Sequence, residues 1–141
     1  MKIIATAPLD QTAINILSPY GEIVIASDDT EDTLVRLVAD AEVIVVRGVA
    51  QITNTIIEAA GNLKVIGRTG VGINNIDIAS ATARGIPVVF TPGANSRAVA
   101  EAAMAFLLAL AKRVTYWDSQ TKANEWNSRY HSMNDDLEAR H

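Results

Sequence analysis

Runs of consecutive apolar residues alternate with helix-period stretches from the N-terminus to about residue 95. Lys2 to Ala7, Glu22 to Ala26, Val43 to Arg47, Lys64 to Arg68 and Pro87 to Phe90 read as strands bounded by turn residues. Val43-Ile44-Val45-Val46 is apolar at successive positions, as expected of a strand covered on both faces, and hence of a parallel sheet between helices. Leu9 to Leu17, Thr30 to Ala41, Thr53 to Ala60 and Asp77 to Arg84 place apolar residues at helical spacing between those strands, the alternation of βαβ units. Asp10, Thr30, Thr53 and Asp77 stand where the helices need N-caps.

From Ser96 to about Trp117 the pattern changes. No strand follows, and Val99, Met104, Phe106, Leu107, Leu108, Leu110 and Val114 are spread nearly all round one long predicted helix, which must then be buried on more than one side. Tyr116 to His141 is polar, punctuated by Trp117, Trp126 and Tyr130, and reads as an arm or linker without a core of its own. The expected organisation is an α/β domain over residues 1–95 and a helix with an arm over 96–141.

Composition narrows the function classes. In 141 residues just under half are apolar, enough for one domain and its core. The net charge is −4 and the basic residues are scattered singly, so no nucleic-acid partner is expected. The absence of cysteine excludes a disulfide framework, a thiolate metal site and a thiol nucleophile. The apolar start, Met1 to Pro8, is too short for a signal segment or a spanning helix, so a soluble cytoplasmic protein with no membrane partner is expected.

The stretch Gly67-Arg68-Thr69-Gly70-Val71-Gly72-Ile73-Asn74-Asn75-Ile76-Asp77 lies where the fourth strand ends and a helix begins. Ligands of parallel sheets bind at such strand ends. Alternating glycines let the backbone approach a ligand, and several N–H groups facing one concavity make an anion-binding nest for a carboxylate or phosphate. The competing explanation is a turn that needs glycine for backbone geometry alone. The dinucleotide fingerprint GxGxxG is not met: counted from Gly70, its third glycine is Asn75, and the loop follows the fourth strand rather than the first of a unit. Arg47 ends the third strand at the same sheet edge and has the geometry to clamp a carboxylate bidentately. A solvated surface arginine is the alternative for it, as for Arg68. Convergence of both arginines and the nest from adjacent strands is what favours a site.

Thr91-Pro92-Gly93-Ala94-Asn95-Ser96 leads into the long helix, with Asn95 or Ser96 as its expected N-cap. Glu101 suits the helix dipole and needs no catalytic role. His131 and His141 fall in the polar tail, and neither is assigned to catalysis.

Together Gly67 to Asp77, Ala83-Arg84-Gly85-Ile86-Pro87-Val88-Val89, Thr91 to Ser96 and Val99-Ala100-Glu101 resemble the N-terminal part of D-2-hydroxyacid dehydrogenases, especially those of the phosphoglycerate type, in register through about Leu137. The resemblance implies a flavodoxin-like five-stranded parallel sheet with helices on both faces, plus a long C-terminal helix and arm. It implies that Arg47 and Arg68 face the acid groups of a small 2-hydroxy or 2-oxo acid, and that the backbone of Gly70, Val71 and Gly72 holds its carboxylate. Asn95 and Ser96 would approach the substrate, and Val99 the nicotinamide of NAD(H). Residues 96–126 match elements by which family members dimerise, implying a homo-oligomer. Gly48, where many phosphoglycerate-type members carry serine, and Asn74, often aspartate, depart from the pattern.

In the family a Rossmann domain interrupts the substrate domain, and its first strand would follow Asp136-Leu137-Glu138, where this sequence reads Ala139-Arg140-His141. The family's catalytic arginine, glutamate and histidine lie beyond that point. The expectation is a truncated dehydrogenase that keeps the acid-binding half, binds no NAD(H) tightly and transfers no hydride alone. A reading of another class is a stand-alone binding or dimerisation module. A receiver domain is set aside because Arg47 stands where a phosphoacceptor aspartate is needed, and because the first strand lacks an acidic pair at its end.

Overall fold

Isoleucine and valine at alternate positions send side chains to opposite faces of each strand, and this divides the core in two. The computed structural model describes residues 1–131. Its elements run β1 (Lys2–Ala5), α1 (Gln11–Leu17), β2 (Glu22–Ile25), α2 (Glu31–Val38), β3 (Val43–Val46), α3 (Asn54–Ala59), β4 (Val65–Arg68), α4 (Ile78–Ala83), β5 (Val88–Val89), α5 (Ser96–Ala111) and α6 (Val114–Lys122), with 3-10 turns at Ser18–Tyr20 and Trp126–Tyr130. The strands form one five-stranded parallel sheet in the order β2-β1-β3-β4-β5. Each lies within one or two residues of its predicted ends, as does each crossover helix except α2, which stops at Val38 where the pattern ran to Ala41.

Ile4, Ile44, Val46 and Ile66 face one side, where they join Leu34 and Val38 of α2, Ile56 and Ile57 of α3 and Ala81 of α4 in the larger cluster. Ile3, Ala5 and Val45 face the other, against Leu9 and, from α1, Leu17. The crossover helices are six to eight residues long, too short to persist in water alone. Burial holds them: each isoleucine that is fully buried contributes about 1.5–3 kcal/mol over its exposed state. Among the crossover helices α1 packs on the second face, where an open apolar cleft of about 500 Å³ is lined among others by Ile16, Leu17, Val89 and Phe90.

Capping follows the sequence in three places. Asp10 accepts from the N–H of Ala13 at 3.1 Å, Thr53 from Ile56 at 3.4 Å and Asp77 from Ser80 at 2.9 Å. Thr30 occupies the N-cap position of α2 but makes no side-chain cap bond. Its own N–H and hydroxyl instead donate to the Asp28 carboxylate, a local Asx turn that sets the helix entry.

The predicted single helix from Ser96 to Trp117 is two helices. The chain divides into two compact units, Met1–Ala94 and a second beginning at Asn95, and the break falls inside the second. Arg113 takes a left-handed conformation, φ 51°, between α5 and α6. For a non-glycine residue that costs about 1–2 kcal/mol, and the Arg113 guanidinium 4.2 Å over the Tyr116 ring returns about 0.5–1 kcal/mol of it. Tyr116 to Lys122, expected in the arm, is therefore helical. The expected burial of the first helix is not met within the described residues: no residue of α5 is buried, and Phe106, Leu107 and Leu110 are among its exposed side chains. No helix of the described residues is long and apolar enough to cross a membrane.

The Asp28 turn has a titration consequence. Hydrogen bonds from the Thr30 and Thr33 hydroxyls and the Thr30 N–H lower the Asp28 carboxyl from 3.8 to about 2. A depressed folded-state value contributes stability that is complete above the unfolded value and is lost as pH falls through the folded one. Urea melts should therefore show stability falling between pH 3.8 and about 2, and Asp28→Asn should flatten that fall while lowering stability at neutral pH. Identical slopes for the two proteins would refute the assignment.

Candidate functional site

Parallel strands deliver their C-terminal ends to one edge, and β3 and β4 are neighbours with Val46 opposite Arg68. The Thr69 N–H donates to the Val46 carbonyl at 3.0 Å, so the chain leaves β3 and β4 side by side. The Thr91 N–H donates to the Gly70 carbonyl at 3.2 Å, which lays the loop after β5 against the same edge. Arg47-Gly48, Thr69 to Ile73 and Thr91 to Ala94 thus form three adjacent loops, and Arg47, Arg68, Gly70, Val71 and Gly72 all lie on that one edge.

The Arg47 backbone is fixed by a residue that reading did not single out. Thr6, buried just past β1, accepts from the Arg47 N–H at 2.9 Å and donates its hydroxyl to the Arg47 carbonyl at 3.0 Å. The Arg47 side chain is exposed and its guanidinium donates to the Pro8 carbonyl. Gly48, the departure from serine, has φ 75° with open space around it. Its requirement is therefore conformational rather than steric.

Arg68 does two things at once. Its Nε donates to the Gly72 carbonyl at 3.2 Å and its Nη1 to the Val46 carbonyl at 3.3 Å. The guanidinium therefore lies under the glycine loop and ties it to the end of β3. A Cβ on Gly70 would lie 3.3 to 3.5 Å from Cζ, Nη2 and Nε alike, flat against the guanidinium, and one on Gly72 would meet Asn74 Oδ1 at 3.2 Å. Neither glycine has a positive φ, so close approach is what requires them. With Gly70 half-buried and Val71 and Gly72 exposed, the loop's backbone is open to solvent on its outer side.

Asn75, at the third position of the fingerprint, is 8% exposed and its Nδ2 donates to the Ala50 carbonyl at 2.7 Å. With a buried side chain at the third position, a guanidinium beneath the first glycine and only the six-residue α4 following, the loop does not fit a dinucleotide pyrophosphate. Among the described residues no group of His, Asp and Glu is arranged to hold a metal.

The remaining candidates belong to the second unit. Asn95 takes the N-cap position of α5 without a side-chain cap bond, and Ser96 and Val99 lie in its first turn. Glu101 pairs with Arg97 at 2.9 Å. His131 is exposed, its Nδ1 3.2 Å from the Asn127 carbonyl. His141 and Asp136-Leu137-Glu138 lie outside the described residues.

Residues 3–133 match the family model of the D-isomer specific 2-hydroxyacid dehydrogenase catalytic domain. A D-3-phosphoglycerate dehydrogenase of Methanocaldococcus jannaschii is 43% identical over 127 residues, which are 90% of this chain and 24% of that protein. A hydroxypyruvate reductase of Thermotoga maritima is 38% identical over 123 residues, 86% of this chain and 40% of the relative. The solved structure of an NAD-dependent formate dehydrogenase from Staphylococcus aureus in complex with NAD superposes with a TM-score of 0.72 at 31% identity, covering 89% of this chain and 43% of that one. The chain thus spans about a quarter of the length of the phosphoglycerate dehydrogenases it matches.

The positive φ at Gly48 makes a direct prediction for the loop that carries Arg47. Gly48→Ala should cost about 1–2 kcal/mol in chemical denaturation, and Gly48→Asn, which tolerates the left-handed region, should cost less. Equal stability of Gly48→Ala and the parent would contradict the geometry.

Proposed function

The chain belongs to the D-isomer specific 2-hydroxyacid dehydrogenases, matching their catalytic domain, and from that premise we propose that its sheet edge binds the carboxylate of a small 2-hydroxy or 2-oxo acid. The observation that carries this reading is convergence: Arg47 and the Gly70-Val71-Gly72 backbone, from adjacent strands, occupy one edge beside the Arg68 charge. A guanidinium and an exposed stretch of glycine-rich backbone are two devices suited to a carboxylate. In this reading Arg47 exchanges the Pro8 carbonyl for the acid, a charge-assisted bond for a neutral one. Arg68 stays beneath the loop and adds its positive field. The roles given to Asn95, Ser96 and Val99 rest on the family resemblance alone.

The relatives support a substrate class of phosphoglycerate, hydroxypyruvate or a similar acid. For the whole protein we propose NAD(H) as the redox partner, which supplies or takes the hydride at the carbon bearing the oxygen; the S. aureus relative was solved with NAD. The Gly70-to-Asn75 loop does not fit the pyrophosphate of that cofactor, and in this reading the part of the sheet domain is to bind and orient the acid. We propose a soluble, cytoplasmic setting for this oxidoreductase component, which the lack of cysteine suits.

The exposed apolar residues of α5 favour a second, compatible role, self-association through residues 96–126. Whether the chain acts as a component of a dehydrogenase or as a binding module without catalysis is then a matter of turnover.

Calorimetry with hydroxypyruvate should show saturable binding that Arg47→Ala weakens about 10- to 100-fold, the worth of a hydrogen bond to a charged group. The 141-residue polypeptide should give no NADH oxidation with the same acid. Absence of binding, or indifference to Arg47→Ala, would overturn the acid site; turnover would overturn the division of labour. Light scattering should find a dimer or larger species, and a monodisperse monomer at high concentration would refute self-association.

A further inference from the structure

Asn75 is assigned no role by the family match or by the glycine pattern, yet it connects the two loops that make the acid site. Its side-chain Nδ2 donates across to the Ala50 carbonyl at 2.7 Å. Its own carbonyl accepts from the Ile52 N–H at 2.8 Å, and the Ile52 carbonyl accepts from the Asp77 N–H at 2.9 Å. Ile52 and Ile76 pair as a parallel bridge beyond the sheet proper. The segment after β3 is thus fastened to the segment after β4 at Ala50 and Ile52, immediately behind Arg47, Gly48 and Val49, which are exposed.

The chemistry of the amide is one-sided. Asn75 Oδ1 is buried with no hydrogen-bond partner among the described residues. Turning the amide over would set an oxygen against the Ala50 carbonyl oxygen, so the donor side is fixed by that contact. A buried acceptor left unmet is a cost that an apolar side chain of similar volume would avoid. What the amide supplies and leucine would not is the single donor that holds Ala50. Ala50 stands three residues from the Arg47 guanidinium-bearing residue, with the left-handed Gly48 as the pivot between them.

We propose that Asn75 is a positioning residue: through Ala50 it holds the Arg47-to-Ala50 loop in register with the Gly70-to-Gly72 backbone, so that guanidinium and amides address the same carboxylate. This rests on the acid-binding reading above. It acts through Arg47 and touches no substrate. It also explains why the third glycine position of the loop carries asparagine: a glycine there would leave the two loops joined by backbone bonds at Ile52 alone.

The test is a double-mutant cycle read by backbone amide NMR titration with hydroxypyruvate on the 141-residue chain, its Asn75→Leu and Arg47→Ala variants and the double variant. Asn75→Leu should weaken affinity about tenfold, with little further loss when Arg47 is already alanine, because coupled residues are non-additive. A purely structural role would move melting temperature without this coupling. Wild-type affinity in Asn75→Leu, or losses that multiply independently in the double variant, would overturn the proposal. Should Asn75→Leu not fold, the wild type decides: saturating acid should shift the Asn75 side-chain amide pair and the Ala50 amide, and unmoved resonances would overturn it. If the wild type binds no acid, the acid-site reading fails separately. Amide exchange then judges Asn75: residues 47–50 should exchange faster in Asn75→Leu with β1 and β3 unchanged, and unaltered exchange would refute the proposal.

Discussion

One backbone carbonyl at the end of a buried strand organises the sheet edge. Val46 is fully buried, so its carbonyl oxygen cannot be left to water. It accepts from the Thr69 N–H at 3.0 Å, from the Arg68 Nη1 at 3.3 Å and from the Thr69 hydroxyl at 3.4 Å. The first of these starts the glycine loop beside β3. The second draws the Arg68 guanidinium inward, where its Nε takes the Gly72 carbonyl and its flat face occupies the space a Gly70 side chain would need. The position of a positive charge beneath the loop, and with it the close approach at Gly70, goes with the bonds that converge on this one acceptor.

The same logic operates on the other side of Arg47. Thr6 has its hydroxyl between the Arg47 N–H and carbonyl, tying the end of β1 to the end of β3, and Asn75 ties the following residues to β4's loop. Arg47 therefore has a fixed backbone and an exposed guanidinium held by one carbonyl, that of Pro8, while the Arg68 guanidinium is half-buried and tied to two, those of Val46 and Gly72. Two arginines that look equivalent in the sequence are held differently, and the proposed function gives them different parts: Arg47 to grip the acid and Arg68 to shape the loop.

Much of this was legible in the sequence, and what was not has physical causes. Val43-Ile44-Val45-Val46 reads as a doubly covered strand because both faces of β3 are buried, and Asp10 and Asp77 read as caps because their side chains have one good partner each. The convergence of Arg47, Arg68 and the glycine loop followed from strand order alone. The break at Arg113 could not be read, since Lys112-Arg113 has ordinary helix propensity and the left-handed turn is partly offset by a ring that lies three residues on. Thr6 and Asn75 were missed because their partners, Arg47 and Ala50, are distant in sequence. The burial expected of α5 was an inference from apolar positions spread all round a helix, and such a pattern says that a surface wants covering without saying what covers it.

Membership of the 2-hydroxyacid dehydrogenase family and the arrangement of the edge point the same way, although the chain spans about a quarter of its phosphoglycerate dehydrogenase relatives. The central claim is that an acid group sits between the Arg47 guanidinium and the backbone of Gly70, Val71 and Gly72. A crystal structure of the chain with hydroxypyruvate tests it most directly. The account predicts a carboxylate within hydrogen-bond distance of the Arg47 guanidinium and at least one N–H of that loop, with Arg68 still bound to the Val46 and Gly72 carbonyls. An acid bound elsewhere on the chain, or an edge left unoccupied at saturating concentration, would contradict it.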